Sequence, residues 1–241
     1  MKKKILLLLL VFVLACSLVA CGNGEEENGT DDPGQTNSDQ NGDEDESGST
    51  FGDLQSAAFA EMMQGGNYYM EYTMNVMGIE MEATQAVRGA DTDSRATIMG
   101  LETRTIVLDG VQYTMDETAK TYYKTESTAA DYDYAQLQYR ESGNGKIESL
   151  YSEEELANAP SYDYDEYFLP IDLADAGVEG LSGEGELVLR YYMNDDGSLY
   201  AINMDIEGIE TVLVVKSMTT DIPAGMFEIP SDYTEVEEPV Y

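Results

Sequence analysis

The side chains that most often carry enzyme chemistry are missing from most of this chain. It contains no histidine, and its two cysteines, Cys16 and Cys21, both lie within the first 21 residues. Histidine is the commonest general base, and histidine and cysteine are the usual zinc ligands. We therefore exclude Ser-His and Cys-His catalysis and zinc chemistry from the rest of the chain. The sequence predicts a non-enzymatic protein without a cofactor.

The N-terminal residues have the three-part layout of a secretory signal. Lysines at positions 2–4 precede the apolar run Ile5–Leu14, and small residues then lead to Cys21. A membrane-spanning helix is one alternative, but it needs about 20 apolar residues, more than this leader provides. An ordinary cleaved signal is the other alternative.

The motif Leu18-Val19-Ala20-Cys21 resembles the lipobox of bacterial lipoproteins, in which the cysteine is lipidated and becomes the first residue of the mature protein. Val13-Leu14-Ala15-Cys16 is a poorer match, because cleavage there would truncate the apolar region. The resemblance implies a signal peptide over residues 1–20 and a lipid on Cys21. We expect an extracytoplasmic protein anchored to the bacterial cell membrane through that cysteine.

The chain is strongly acidic. It has 12 Lys and Arg residues against 48 Asp and Glu, a net charge of −36. Three lysines lie in the leader, so the mature chain would carry nine basic residues against 48 acidic ones, a net charge of −39. This charge argues against nucleic acid or an anionic lipid surface as a partner. Solubility is the simple explanation of the surplus, and specific cation binding is the alternative.

Acidic clusters are candidates for calcium or catalytic sites. Asp163, Asp165 and Glu166 alternate with tyrosines, and oxygen-rich loops can hold calcium. Their spacing does not match the twelve-residue calcium loop, and Asp195-Asp196-Gly197 fits a turn better than a metal site. No carboxylate pair stands out for glycoside hydrolysis. We therefore predict neither a metal site nor a catalytic site.

A group of apolar side chains at alternating strand positions could line a ligand cavity: Met70, Tyr72, Met74, Met81, Met99, Met115, Met193 and Met204. Methionine is flexible and polarizable, so a sheet face rich in it can adapt to varied apolar ligands. The set predicts a binding surface for a lipid or another hydrophobic ligand. Core packing explains the same residues and is the simpler interpretation.

The strands and helices that would position the predicted cavity residues follow an N-terminal linker. Residues 21–50 are polar and acidic, so we predict a disordered tether with a root-mean-square span of about 30 Å. Residues 51–241 make one domain by length. Its first helix is predicted from Ser49 or Thr50 to Gln64, where Gly65-Gly66 stops it.

Alternation with a period of two predicts the strands. They are Tyr68–Val76, Ile79–Val87, Arg95–Leu101, Arg104–Leu108, Val111–Met115, Thr121–Lys124, Glu186–Met193, Leu199–Ile206 and Ile209–Met218. Tight turns are predicted at Asp109-Gly110 and Glu207-Gly208. Sequential strands joined by such turns form an antiparallel sheet.

Other segments do not follow that period. Thr128–Tyr139 and Glu153–Ala157 suit helices, and Pro160–Phe168 is predicted to be an irregular aromatic stretch. The tail Asp221–Pro230 has apolar residues spaced by prolines, so it should pack across the end of the sheet rather than extend it. The predicted class is α+β, mainly β.

Three segments resemble the lipoprotein-localisation-factor (LolA-like) superfamily and the related mycobacterial-lipoprotein-type domains: Asn67–Thr73, Val107–Asp116 and Ile222–Tyr233. The resemblance implies a strongly bent antiparallel sheet, or half-barrel. The N-terminal helix and one or two further helices would cover its concave face, above an apolar cavity that accepts acyl chains.

The function predicted from the sequence is a lipid-anchored protein that binds or carries an apolar or amphipathic ligand, such as a lipid or acyl chain, in the half-barrel cavity. The alternative is a non-enzymatic cell-surface interaction module without a cavity. A buried apolar cavity beneath the sheet would favour the carrier, and a sealed core would favour the interaction module.

Overall fold

The computed structural model describes residues 54–76, 79–127, 134–173 and 182–238. The signal peptide, Cys21 and the linker predicted for residues 21–50 lie outside these residues. The described helices are α1 (Ala57–Gly65) and α2 (Glu153–Leu156), with 3₁₀ turns at Tyr134–Gln136 and Glu148–Leu150. The strands are β1 (Asn67–Val76), β2 (Ile79–Arg88), β3 (Asp91–Ile98), β4 (Leu101–Leu108), β5 (Val111–Asp116), β6 (Thr121–Glu126), β7 (Gln138–Gly145), β8 (Tyr162–Asp172), β9 (Glu184–Met193), β10 (Leu199–Ile206), β11 (Ile209–Thr219) and β12 (Thr234–Glu235).

The twelve strands of the described residues belong to one sheet. Its order is β12-β6-β5-β4-β3-β2-β1-β11-β10-β9-β8-β7. Two antiparallel meanders, β1–β6 and β7–β11, join where β1 pairs with β11. The class predicted from the sequence, α+β and mainly β, is confirmed.

Each of the tight turns has glycine as its second residue. In Asp109-Gly110 both residues have positive φ, 50° and 75°, and in Glu207-Gly208 the values are 53° and 83°. Two successive positive φ angles match the right-handed twist of the flanking strands. Both predicted turns are confirmed. A third turn of this kind, Met99-Gly100, ends β3 at Ile98, so the strand predicted for Arg95–Leu101 was wrong at its end.

The predictions for Thr128–Tyr139 and Pro160–Phe168 need correction, because strands β7 and β8 were not predicted. Of the helix predicted for Thr128–Tyr139, residues 128–133 lie outside the described residues, 134–136 form a single 3₁₀ turn, and Gln138 begins β7. The stretch predicted to be irregular contains most of β8, which lies between β7 and β9. The strand was missed because its acidic residues interrupt the apolar pattern. In the structure Asp165 and Glu166 are buried and bound by polar partners described below.

Helix α1 covers one face of the sheet, called here the inner face. Gly66, with a φ of 55°, caps the helix at its C-terminus. The helix buries Ala57, Ala60 and Met63, and the Tyr191 hydroxyl donates to the Met63 sulfur at 3.0 Å. Ala60 and Met63 belong to the main apolar core, which includes alternate residues of β1, β2, β9 and β10.

The opposite, outer face is covered by two segments without long helices. The connection between β7 and β8 places Ile147 in a second buried cluster with Tyr192, Ala201 and Val212. Residues 221–233, called here the strap, cross the other half of the outer face and lead into β12. The tail predicted not to extend the sheet, Asp221–Pro230, contains no strand, and the two residues of β12, which lie beyond it, pair in parallel with β6.

Candidate functional site

Six of the eight residues predicted to line a cavity lie together in the inner-face core. They are Met70, Tyr72, Met74, Met81, Met193 and Met204, with exposed fractions between 0 and 3%. Their side chains pack with residues of α1, β8 and β9 in the same cluster. In this structure they act as core residues beneath the helix.

Met115 and Met99 do not join that cluster. Met115 pairs across β4 and β5 with Arg104, which pairs with Arg95, and these residues project from the outer face. Met115 is therefore buried on the side of the sheet opposite the other methionines. Met99 lies in the turn between β3 and β4 and is 81% exposed. Alternation within a strand cannot show which face a neighbouring strand presents, because that depends on the register between them.

The acidic side chains of β8 do not form one cluster, because Asp165 and Glu166 have different partners. Asp165 faces the inner side, where it accepts from the backbone N–H of Ser56 at 3.1 Å and from the Ser142 hydroxyl at 2.5 Å. Glu166 accepts from Arg190 at 2.6 Å and from Arg140 at 3.3 Å. Among the described residues, no group of three or more Asp, Glu, His or Cys side chains could hold a metal ion.

The strap is fixed to the outer face by a buried ion pair that the sequence analysis did not single out. Asp93 accepts two hydrogen bonds from the Arg104 guanidinium, at 3.0 and 2.5 Å, and both side chains are almost completely buried. The same carboxylate accepts from the backbone N–H of Phe227 at 3.0 Å, and Arg104 also donates to the Gly225 carbonyl at 3.3 Å. Sequence reasoning missed this pair because Asp93 lay outside the predicted strands and the register that places it beside Arg104 was not known.

A groove of about 420 Å³ lies between the strap and strands β11, β1, β2, β3 and β4. Its sheet side carries charged and hydroxyl side chains, and its strap side carries apolar ones. The lining includes Tyr69, Glu71, Glu82, Thr84, Arg95, Thr97, Glu102, Lys216, Pro223, Ala224 and Met226. Its volume is within the range of small-molecule sites.

Two carboxylates of the groove have partners inside it. Lys216 forms an ion pair with Glu82 at 2.6 Å, which lowers the pKa of Glu82 and raises that of Lys216. The Tyr69 hydroxyl donates to Glu71 at 3.0 Å. Burial, followed by this hydrogen bond, raises the pKa of Tyr69. The phenol therefore stays protonated and keeps its role as a donor.

The basic side chains of the described residues are bound to acidic or carbonyl groups of the same domain. Eight of their nine Lys and Arg side chains form ion pairs with acidic residues. The ninth, Lys146, donates to the backbone carbonyls of Leu156 and Ala157 at the end of α2. The acidic surplus is therefore left unneutralised, and the protein surface has a negative potential.

Comparisons with known proteins do not identify a family. No protein-family model matches the chain, and no curated protein matches it. A crystal structure of an uncharacterized conserved protein from Thermus thermophilus resembles this one with a TM-score of 0.40 and 10% identity, over 75% of this chain and 96% of that chain. A similarity this low supports no argument about fold or function.

None of the described helices is both long enough and apolar enough to cross a membrane.

Proposed function

We propose that this protein is a lipid-anchored, non-enzymatic interaction module of the bacterial cell envelope. The lipid on Cys21 would hold it outside the cytoplasmic compartment, and the acidic residues 21–50 would separate the domain from the membrane. The proposal places the binding surface on the outer face of the sheet. It assigns no substrate and no catalytic residue.

One observation carries this proposal: the side chains predicted to line an apolar cavity are buried in the core, whereas the outer face holds an open, charged groove. The predicted cavity residues on the inner face are at most 3% exposed and share a core cluster with Ala60 and Met63 of α1. By contrast, the groove is lined by carboxylates, hydroxyls and a guanidinium that a ligand could reach. Polar groups of this kind fix the orientation of a bound molecule.

The charge distribution supports a partner with basic or dipolar groups. Because the basic side chains of the described residues are engaged within the fold, an approaching molecule meets a negative surface. Nucleic acid and anionic membranes would be repelled. The same field would accelerate association with a positively charged partner.

The carrier is the second candidate, and one observation favours it. Six methionine and tyrosine side chains predicted to line a cavity do share one face, and the nine-residue helix α1 is the only α-helix of the described residues that contributes to their core cluster. Displacement of α1 would open that face. The half-barrel curvature and the relationship to LolA-like proteins belong to this second proposal.

A fatty-acid titration separates the two functions. The mature protein would be titrated with cis-parinaric acid, whose fluorescence rises when an apolar site takes it up. An interaction module with a sealed core gives no saturable signal. Saturation at one molecule of fatty acid per chain, with competition by palmitate, would contradict the proposal and establish the carrier.

A further inference from the structure

One end of the sheet carries most of the exposed apolar side chains. Four large apolar side chains of the described residues are exposed, by 42 to 81%. Three of them lie in or directly after the turns β3–β4 and β10–β11: Met99, Leu101 and Ile209. Exposed apolar residues are common when they are scattered singly, whereas a group of them marks an interaction surface.

Strand pairing brings these turns to the same end of the sheet. β4, β3, β2, β1, β11 and β10 are neighbours in that order, and β1, β3 and β10 run in the same direction. Their hairpins end at the pairs Ile98/Leu101, Val76/Ile79 and Ile206/Ile209. At a strand spacing of about 4.8 Å, this row of turns, called here the tip, is about 24 Å long. Each of its six strands is paired on both sides, so the tip offers side chains to a partner rather than a free strand edge.

The tip is apolar toward the inner face and acidic toward the outer face. Leu101 pairs with Ile98, which packs against the inner-face core, and Ile209 pairs with Ile206, which belongs to that core. Side chains alternate along a strand, so the glutamates that follow Leu101 and Ile209 point to the outer face. The exposed carboxylates of the tip are those of Glu80, Glu102, Glu207 and Glu210. None of these is in an ion pair with a basic side chain of the described residues.

Met99 occupies a position that neither folding nor solubility favours. It is the first residue of its turn, with a φ of 51°, and it is 81% exposed. Asn, Asp and Gly are preferred at this position, because a left-handed conformation is unfavourable for other side chains. The equivalent residues of the two other turns of this type are polar, Asp109 and Glu207. An apolar side chain that is both strained and exposed indicates a contact made with a partner.

We propose that the tip binds a basic amphipathic helix of a partner protein. The apolar face of the helix packs on Met99, Leu101 and Ile209, and its Lys or Arg side chains bind the carboxylates on the outer side. A second copy of this chain would bring two acidic tips together, and an anionic membrane would be repelled as well. A helix satisfies its own backbone groups, as a partner must where no strand edge is free. The three apolar residues lie outside the lining of the outer-face groove, so this inference goes beyond the proposed function.

Fluorescence anisotropy of labelled peptides tests the proposal on the full mature chain in non-ionic detergent. The probe is a helix-forming peptide of about 16 residues, matched to the tip at about 1.5 Å per residue, with leucine on one face and lysine on the other. The control peptide has glutamate in place of every lysine, and protein-free micelles give the blank for each peptide. We expect saturable binding of the lysine peptide and at least about tenfold weaker binding of the glutamate peptide, because only the first has charge complementary to the tip.

Three variants connect the binding to the apolar side chains of the tip. Met99→Asn should weaken binding of the lysine peptide at least about fivefold, while the melting temperature stays the same or rises, since asparagine suits the turn. A residue with a merely structural role would not show this combination. Leu101→Gln should weaken binding similarly. Val236→Asn removes the fourth exposed apolar side chain, at the sheet edge beside β6, and should leave binding unchanged.

A charge variant tests the acidic side of the tip. Glu102→Gln should weaken binding of the lysine peptide and reduce its dependence on salt, because one carboxylate no longer attracts the partner. Glu126→Gln removes an exposed carboxylate at the opposite end of the sheet and should change neither property.

Absence of saturable binding by the lysine peptide would overturn the inference, as would equal binding of the two peptides or unchanged binding in Met99→Asn. Met99→Trp identifies the other occupants, because the chain has no tryptophan. We expect its emission to shift to the blue only when the lysine peptide is added. A blue shift in vesicles of phosphatidylcholine and phosphatidylglycerol without peptide would assign the tip to the membrane. A shift that grows with protein concentration in detergent would assign it to a second copy, and either result would overturn the inference.

Discussion

At the scale of single residues, the most consequential group is the ion pair between Asp93 and Arg104. Both side chains are almost fully buried, and they join β3 and β4 to the strap through the Phe227 N–H and the Gly225 carbonyl. A buried charge that loses its partner is far more costly than an exposed one. The pair therefore holds the strap, which forms one side of the groove, against the sheet.

Replacement of Arg104 by methionine should lower the free energy of unfolding by about 3–5 kcal/mol, because Asp93 stays buried, loses both hydrogen bonds from Arg104 and keeps only the longer contact with Arg95. Urea denaturation followed by circular dichroism measures the change. Lys216→Met is the matched control. Its ion pair with Glu82 is exposed and screened by solvent, so the expected loss is much smaller than that of Arg104→Met. Equal losses in the two variants would show that the buried pair does not anchor the strap.

The contact between the end of the strap and the turn after β5 should weaken in acid. Tyr233 and Lys120 donate to Glu117; although burial raises the pKa of Glu117, these hydrogen bonds and the Lys120 charge bring it below its usual value. Because the pKa of Glu117 is lower in the folded protein than in the unfolded chain, this contact stabilises the fold fully above about pH 4.5. The stabilisation is lost as the pH falls through the pKa that Glu117 has in the folded protein.

Amide exchange at Thr234 and Val236, whose N–H groups bond to Lys120 and Tyr122, reports this contact. We expect their protection factors to fall below pH 4.5, and Tyr233→Phe should reduce that pH dependence. Protection that is constant from pH 6 to pH 3 would refute the coupling. The effect on global stability should be small, since the partners are partly exposed and screened by solvent.

At the scale of elements, alternating residues were sufficient to predict most strands, and glycine marked their turns. β10 was predicted with its observed bounds, Leu199–Ile206, because both ends are set by turns. β8 was missed because its carboxylates interrupt the apolar pattern and are satisfied only by residues distant in the chain. Met115 was placed on the wrong face because the register of β4 and β5 is not encoded within either strand.

Two glycines provide a matched test of turn chemistry. Gly110 has a φ of 75°, so Gly110→Ala should destabilise the β4–β5 hairpin by about 1–2 kcal/mol even though no atom lies within 4 Å of the added methyl. Gly65 is helical and has similar free space, so Gly65→Ala should stabilise the protein by up to about 1 kcal/mol. Thermal unfolding compares the two, and destabilisation by both would contradict the assignment of strain to the turn.

At the scale of the whole molecule, charge and topology determine what the domain can do. The pairing of β1 with β11 joins two meanders and could not be predicted, since it links strands about 140 residues apart. It places the groove residues Glu71 and Lys216 side by side from opposite ends of the domain. The candidate groove therefore depends on long-range pairing, whereas the apolar inner face could be predicted from local alternation.

The net charge of −36 predicts that added salt stabilises the fold. Raising sodium chloride from 0.01 to 0.15 M shortens the Debye length from about 30 to about 8 Å and screens repulsion among the surplus carboxylates. We expect the melting temperature to rise by about 2–4 °C. A fall would mean that screening of the ion pairs outweighs screening of the repulsion.

The central claim is that the apolar face is a sealed core rather than a lipid cavity. Native mass spectrometry of the protein purified from its own membrane tests it most directly. We predict a single mass equal to that of the mature chain plus the lipid covalently attached at Cys21. A second, dissociable lipid on most molecules would contradict the claim.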